Sequence, residues 1–180
     1  MRQSHVIPQF VHRGLNQPRG PAYPLLCAEC EERLSVWESQ FARAVFHPLV
    51  AGRVLPVKYG PWLLKFATSV CWRVLEKVRR ENQPGPIEAG GCLKTWNEFL
   101  RGRRPDVGPH VLHMSRLESG RGFMPRQEAI AFEVRNDEAA TWICVQMGPI
   151  SLSGLIHGGP PAEWSGTRIH LGGKLKSRQP

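Results

Sequence analysis

The segment after Pro61 constrains this chain more than any other. Leu63, Phe66, Val70, Val74 and Val78 recur at helical spacing, and Ala67, Cys71 and Leu75 widen the stripe, which predicts an amphipathic helix with a broad apolar face. A face that wide has to be covered by a second layer of structure, so the chain is expected to build its core around it. Lys77, Arg79 and Arg80 close the segment with cations that suit a helix C-terminus, ahead of a break at Pro84-Gly85-Pro86.

Weaker helical patterns flank this one. From Cys30 onward Leu34, Trp37, Phe41 and Val45 fall on one face, and the helix they predict should stop near His47-Pro48, because proline disfavours helical backbone in the residue before it. Leu93, Trp96, Phe99 and Leu100 predict a third, shorter helix. After Gly108 the period shifts towards two. Ile130, Phe132 and Val134 alternate with Ala131, Glu133 and Arg135, Asn136-Asp137 reads as a turn, and Thr141 to Met147 is rich in strand formers. Ile150, Leu152 and Ile156 continue the alternation beyond Gly148-Pro149. These are expected to be antiparallel strands packed on the long helix. Val6 to Val11 reads as an extended segment, and Gly14 to Pro24 as a loop. The Gly-, Pro- and Lys-rich tail from Gly158, with a short strand at 167–171, is expected to be peripheral. The reading is an α+β protein with three regions, 1–50, 51–105 and 106–180.

A length of 180 residues suits one domain, or one with a small appendage. Lys and Arg number 24 against 15 acidic residues, a formal net charge of +9. That makes a polyanion the first partner to consider, although the same charge also serves solubility. The five cysteines, an odd number with no apolar leader, argue against a secreted disulfide framework. No run approaches the roughly 18 apolar residues of a membrane span. A cytoplasmic protein without a membrane partner is the expectation. There is no glycine-rich phosphate loop after a strand, no G-x-S-x-G elbow and no H-E-x-x-H helix, which removes the enzyme classes that depend on them.

The chemically informative constellation is Ser4-His5-Val6-Ile7-Pro8, a loop, and then Leu25-Leu26-Cys27-Ala28-Glu29-Cys30-Glu31 running into a helix. It resembles the HNH (ββα-metal, treble-clef) endonuclease superfamily, in the variant that places a His-Ile-Ile-Pro strand before a Leu-Leu-Cys-x-x-Cys helix start. The resemblance covers residues 1–50 and implies a treble-clef-like hairpin and helix. It gives His5 the place of the general base and Glu31 that of a helix-borne ligand for a catalytic Mg²⁺ or Mn²⁺. Cys27 and Cys30 become half of a structural zinc knuckle. The chemistry suits these residue types, since a neutral imidazole takes a proton from water near pH 7 and a divalent ion neutralises charge on a phosphate.

The pattern also departs from the family. Members usually carry a further Cys-x-x-Cys ahead of the strand, and structural zinc needs four ligands. That pair is lost or cut off here, or His12 or His47 completes the set. Ser4 stands where a metal-binding acidic residue or histidine is common, and no asparagine precedes Leu25 closely. A redox role for the thiols is disfavoured, because they follow a Pro/Gly loop without a βαβ unit. His110 and His113 read as surface histidines, and Trp62, Trp72 and Trp96 as core, whereas Trp37, following the knuckle, could stack a base. Arg79 and Arg80, with Arg101, Arg103 and Arg104, would make a groove tracking phosphates if both clusters faced one side. The expected function is nucleic-acid binding with HNH-like ancestry and residual phosphodiesterase activity. The alternative is a non-catalytic adaptor or inhibitor, of phage or mobile-element type, that binds a nucleic-acid-handling complex.

Overall fold

The computed structural model describes residues 2–53, 56–81, 89–117 and 130–176. The expected break at Pro84-Gly85-Pro86 lies outside them. In chain order the elements are β1 (Arg2–His5), α1 (Gln9–Gly14), β2 (Ala22–Leu26), α2 (Ala28–Phe41), α3 (His47–Val50) and β3 (Pro56–Tyr59). They continue with α4 (Pro61–Arg80), α5 (Ala89–Leu100), β4 (Leu112–Arg116), β5 (Ile130–Asn136), β6 (Ala140–Met147), β7 (Ile150–Gly158) and β8 (Gly173–Lys176). The fold is α+β, with a C-terminal four-stranded antiparallel sheet in the order β4-β7-β6-β5.

Helix α4 is the axis of the core, as its stripe requires. Leu63, Phe66, Ala67, Val70, Cys71, Val74 and Leu75 are fully enclosed, and the helix packs on β6 and β7 on one side and on α2 and α5 on others. Two hydroxyls lie within this buried face without cost to it. Thr68 donates to the Leu64 carbonyl (2.7 Å) and Ser69 to that of Phe66 (2.8 Å), so no polar group is stranded there. Phe41 from α2 stacks on Phe66 at 3.8 Å between ring centroids. A single buried cluster runs from Val6 to Ile169, so the three regions share one core.

A buried charge joins the N-terminal module to this axis. Arg73, 2% exposed on α4, donates to the His5 carbonyl of β1 (2.9 Å), to Glu38 Oε1 of α2 (2.8 Å) and to the Ser69 carbonyl (3.2 Å). Burying a guanidinium is costly, and the geometry here compensates it at each nitrogen.

Four expectations change in the structure. The first helix does not stop at His47-Pro48. It widens into a π-helical stretch over Ala42–Phe46 and continues as α3 to Val50, and the wider turn accommodates the N–H that Pro48 lacks. The run from Val6 to Val11 is not extended throughout. Beyond Pro8 it becomes α1, with Val11 buried. The tail is not wholly peripheral, since Ile169 is 3% exposed and β8 pairs with β3. Finally, His113 is not a surface residue. It lies on β4, 6% exposed, with its Nδ1 3.0 Å from Thr167 Oγ1 and its ring 4.6 Å from that of Trp164.

Two predictions follow from this packing. Arg73→Ala leaves the His5 carbonyl and the Glu38 carboxylate without their buried donor, and should cost about 3 kcal/mol in urea unfolding. Glu38→Gln, which keeps a neutral acceptor on a partly exposed side chain, should cost clearly less. Burial, helped by the charges of Arg168 and His170 and offset in part by the Trp164 carbonyl, pushes the His113 imidazole down to about 4. Between about 6.5 and 4, then, only the unfolded chain takes up the proton, so stability is full above that window and declines as pH falls through it. The decline should reach up to about 3 kcal/mol by pH 4. His113→Gln should flatten part of that slope, the lowered His12 and His110 accounting for more of it.

Candidate functional site

The N-terminal elements follow one another as hairpin and helix. Strands β1 and β2 pair antiparallel, with Arg2 opposite Leu26 and His5 opposite Ala22, and α1 is folded into their connection. Helix α2 then starts at once, because Cys27 caps it. Its backbone is extended and its Sγ accepts the Cys30 N–H at 3.4 Å, which satisfies one of the free donors of the first turn. Glu29 and Glu31 in that turn complement the helix dipole.

This arrangement does not bring the expected catalytic groups together. The register places His5 at the end of the hairpin remote from Cys27. Five residue steps along β2 separate Ala22 from the cap, about 16 Å of extended chain. His5 is held locally instead, its Nδ1 3.2 Å from the Gly20 carbonyl and its Nε2 3.3 Å from the Gln9 amide. The α2 carboxylate drawn towards the His5 strand is Glu38, and Arg73 already occupies it. Glu31, one turn into α2, has one carboxylate oxygen buried without a hydrogen-bond partner. That orphaned oxygen is what a ligand position would show, yet among the described residues no three His, Cys, Asp or Glu side chains gather around a common point.

The thiols fare similarly as a zinc knuckle. Cys27 and Cys30 supply two soft donors, and a structural zinc wants four. Neither histidine considered for completion is near. His12 is buried with its ring against Gly20, and His47 lies beyond α2 beside Phe10 and Phe46, about 25 Å of helix away from Cys30. The described residues thus do not by themselves fit a four-coordinate zinc, nor a hard-ion site around His5 and Glu31.

The two thiols differ in character. Cys27 is exposed, and the Cys30 N–H together with a hydrogen bond from the Cys30 thiol lowers its pKa. Cys30 is half-buried, and burial with the neighbouring Cys27 sulfur raises its own. Arg33 and Arg101 are the cations close enough to act on Cys30, so the start of α2 lies beside the end of α5. Lys65 of α4 joins them, its Nζ 3.7 Å from the Phe99 ring centroid and 5.8 Å from that of Trp37, while donating to the Phe99 carbonyl. Trp37 is therefore a half-buried core partner carrying a cation, not an open stacking platform. Cys71, Cys92 and Cys144 are buried thiols.

The arginine clusters separate. Contact between Lys65 and Phe99 sets α5 antiparallel to α4, so Arg79 and Arg80 lie at one end of this pair and Arg101, Arg103 and Arg104 at the other. The fourteen residues from Lys65 to Arg79 span about 21 Å. Their electrostatics differ as well. Burial opposes ionisation of Glu76, but the hydrogen bonds and charges of Arg79 and Arg80 outweigh it and hold its carboxyl below the usual range. Both arginines contact Glu76 at 2.8 Å. Arg104 leans towards Asp106 at 3.8 Å. Arg101 and Arg103 are exposed and make no ion pair with a described residue. The spacing of Arg33 and Lys65 gave no signal of their place beside Arg101, because only the packing of α2 across α4 creates it.

No family model, curated protein or solved structure matches the chain.

The thiol environments predict an order of modification. Under native conditions iodoacetamide should alkylate Cys27 first and Cys30 more slowly. Cys71, Cys92 and Cys144 should react only when denaturant is added, as read by peptide mass mapping.

Proposed function

We propose that the chain is a basic nucleic-acid-binding protein of HNH-like ancestry whose hairpin and helix act as a scaffold. The observation that carries this reading is the pair of exposed cations that follow α5, beside the start of α2. Arg101 and Arg103 stand there without an acidic partner among the described residues, and Arg33, shared with Glu29, adjoins them. Unpaired guanidinium groups in the turn after a helix suit phosphate oxygens, which a guanidinium contacts in a bidentate manner. The ancestry is supported by the order of His5, Cys27 and Cys30 along a hairpin and helix. The dispersal of His5, Glu31 and the thiols supports a scaffold, so the reading routes no step through a metal.

The second reading, an adaptor or inhibitor of a nucleic-acid-handling complex, is favoured by one feature. Strand β5 is the outer strand of its sheet and has no further strand beside it among the described residues, which offers an edge for strand addition by a protein partner.

Fluorescence anisotropy with labelled single- and double-stranded oligonucleotides, repeated across a salt series, tests the first reading. Affinity should fall log-linearly with salt. The double substitution Arg101→Ala with Arg103→Ala should reduce the slope by about 1.5, since each lost phosphate contact removes about 0.7–0.9. Arg79→Ala with Arg80→Ala should change it much less. Salt-insensitive binding, or none, would leave the adaptor reading.

A further inference from the structure

A cleft of about 230 Å³ opens between the β1–β2 connection and β5, lined among others by Val6, Ile7, His12, Ile130 and Phe132. His12 is 7% exposed, and neither of its ring nitrogens has a hydrogen-bond partner among the described residues. The Pro18 carbonyl approaches the ring and partly offsets the effect of burial without completing a bond. Buried polar atoms are nearly always paired, so an imidazole left unpaired on the wall of a cleft indicates a missing partner. Burial lowers the pKa of His12, with the neighbouring His5 contributing. The ring is therefore neutral at pH 7, with one donor and one acceptor.

The ring is also fixed in place. A Cβ at position 20 would come within 2.4 Å of His12 Nε2, so Gly20 is the residue that allows the loop to close over the imidazole. Apart from Gln17, the remaining walls are aliphatic side chains, proline rings and the Phe132 ring, above which Lys77 Nζ lies 5.2 Å from the centroid. Two exposed cations border the cleft in sequence, Arg13 directly after His12 and Arg19 between Pro18 and Gly20. A flat, largely apolar ligand that carries a hydrogen-bonding atom on one edge and a negatively charged tether would suit these features together. An unstacked nucleobase with its phosphates is that ligand, read by ring stacking and edge hydrogen bonds. An apolar peptide side chain would fill the walls but leave the imidazole unpaired and bring no anion to the exposed Arg19.

The geometry points to this cleft as a pocket for one unpaired base of a single-stranded nucleic acid, with His12 bonding the base edge and Phe132 packing on its face. The inference rests on the nucleic-acid reading above and adds the substrate form, single-stranded rather than duplex.

The test compares a twelve-nucleotide oligothymidylate with an abasic strand of equal length and charge, using the full chain. Losing base contacts costs about tenfold or more in affinity, so the wild-type protein should favour the oligothymidylate by about that factor. Ile130→Trp, which fills the cleft from a half-buried edge position, should erase the preference while leaving binding of the abasic strand intact. The His12 ring ¹⁵N resonances of the wild-type chain supply a readout that needs no variant, and they should shift with oligothymidylate and not with the abasic strand. Equal binding of the two strands, or unmoved His12 resonances, overturns the pocket and leaves the nucleic-acid reading standing. Binding of neither strand overturns both.

Discussion

The guanidinium of Arg73 is the contact on which the placement of the N-terminal module depends. It sits on the helix whose apolar face holds the sheet, and it reaches the backbone of β1 and a carboxylate of α2 at once. Taken out of water, such a charge is tolerated only where its donors are used, and three acceptors from three parts of the chain use them. Hairpin, second helix and core axis are thereby fixed relative to one another, and Phe41 stacked on Phe66 adds the apolar side of the same junction. The contact also has a chemical consequence. The helix carboxylate nearest the His5 strand is committed to a cation that is part of the protein, which is why the module reads as scaffold.

Charge elsewhere divides into what the fold neutralises and what it leaves open. Cations three and four residues after Glu76 are absorbed by it on the helix surface, a local consequence of helical spacing. Those after α5 follow Leu100 and Arg101 into a turn with a single distant acid, and so stay available. Along the α4–α5 pair the basic charge is therefore neutralised at one end and left open at the other. The cleft beside β5 is of another kind. It is largely apolar, built across a long gap in sequence, and its polar lining includes an imidazole with no hydrogen-bond partner among the described residues.

Much of the architecture is written locally. The stripe from Leu63 to Val78 reads as a helix in isolation, and the alternation from Ile130 to Ile156 reads as antiparallel strands. Asp137 confirms its turn by accepting the Ala139 and Ala140 amides, and Gly148, at a φ of 61°, supplies the turn between β6 and β7. Patterns fail where a single residue type carries two meanings. His113 looks exposed beside Val111 and Leu112, but β4 is the end strand of its sheet and its outer side is closed by 167–169, a pairing that no local pattern announces. Pro48 looks like a stop until the π-helical turn ahead of it makes room.

By itself the sequence determined the class of fold, the helix that organises the core, the net positive charge and the thiol pair at the head of a helix, because each of these depends on residues within a few positions of one another. Only the tertiary structure decided which of them meet. The distance between His5 and the thiols is set by strand register, the separation of the arginine clusters by α5 running back along α4, and the cleft at His12 by an edge strand more than a hundred residues away. Those are relations between distant segments, fixed by burying one shared apolar core around one satisfied charge, and no local pattern encodes them.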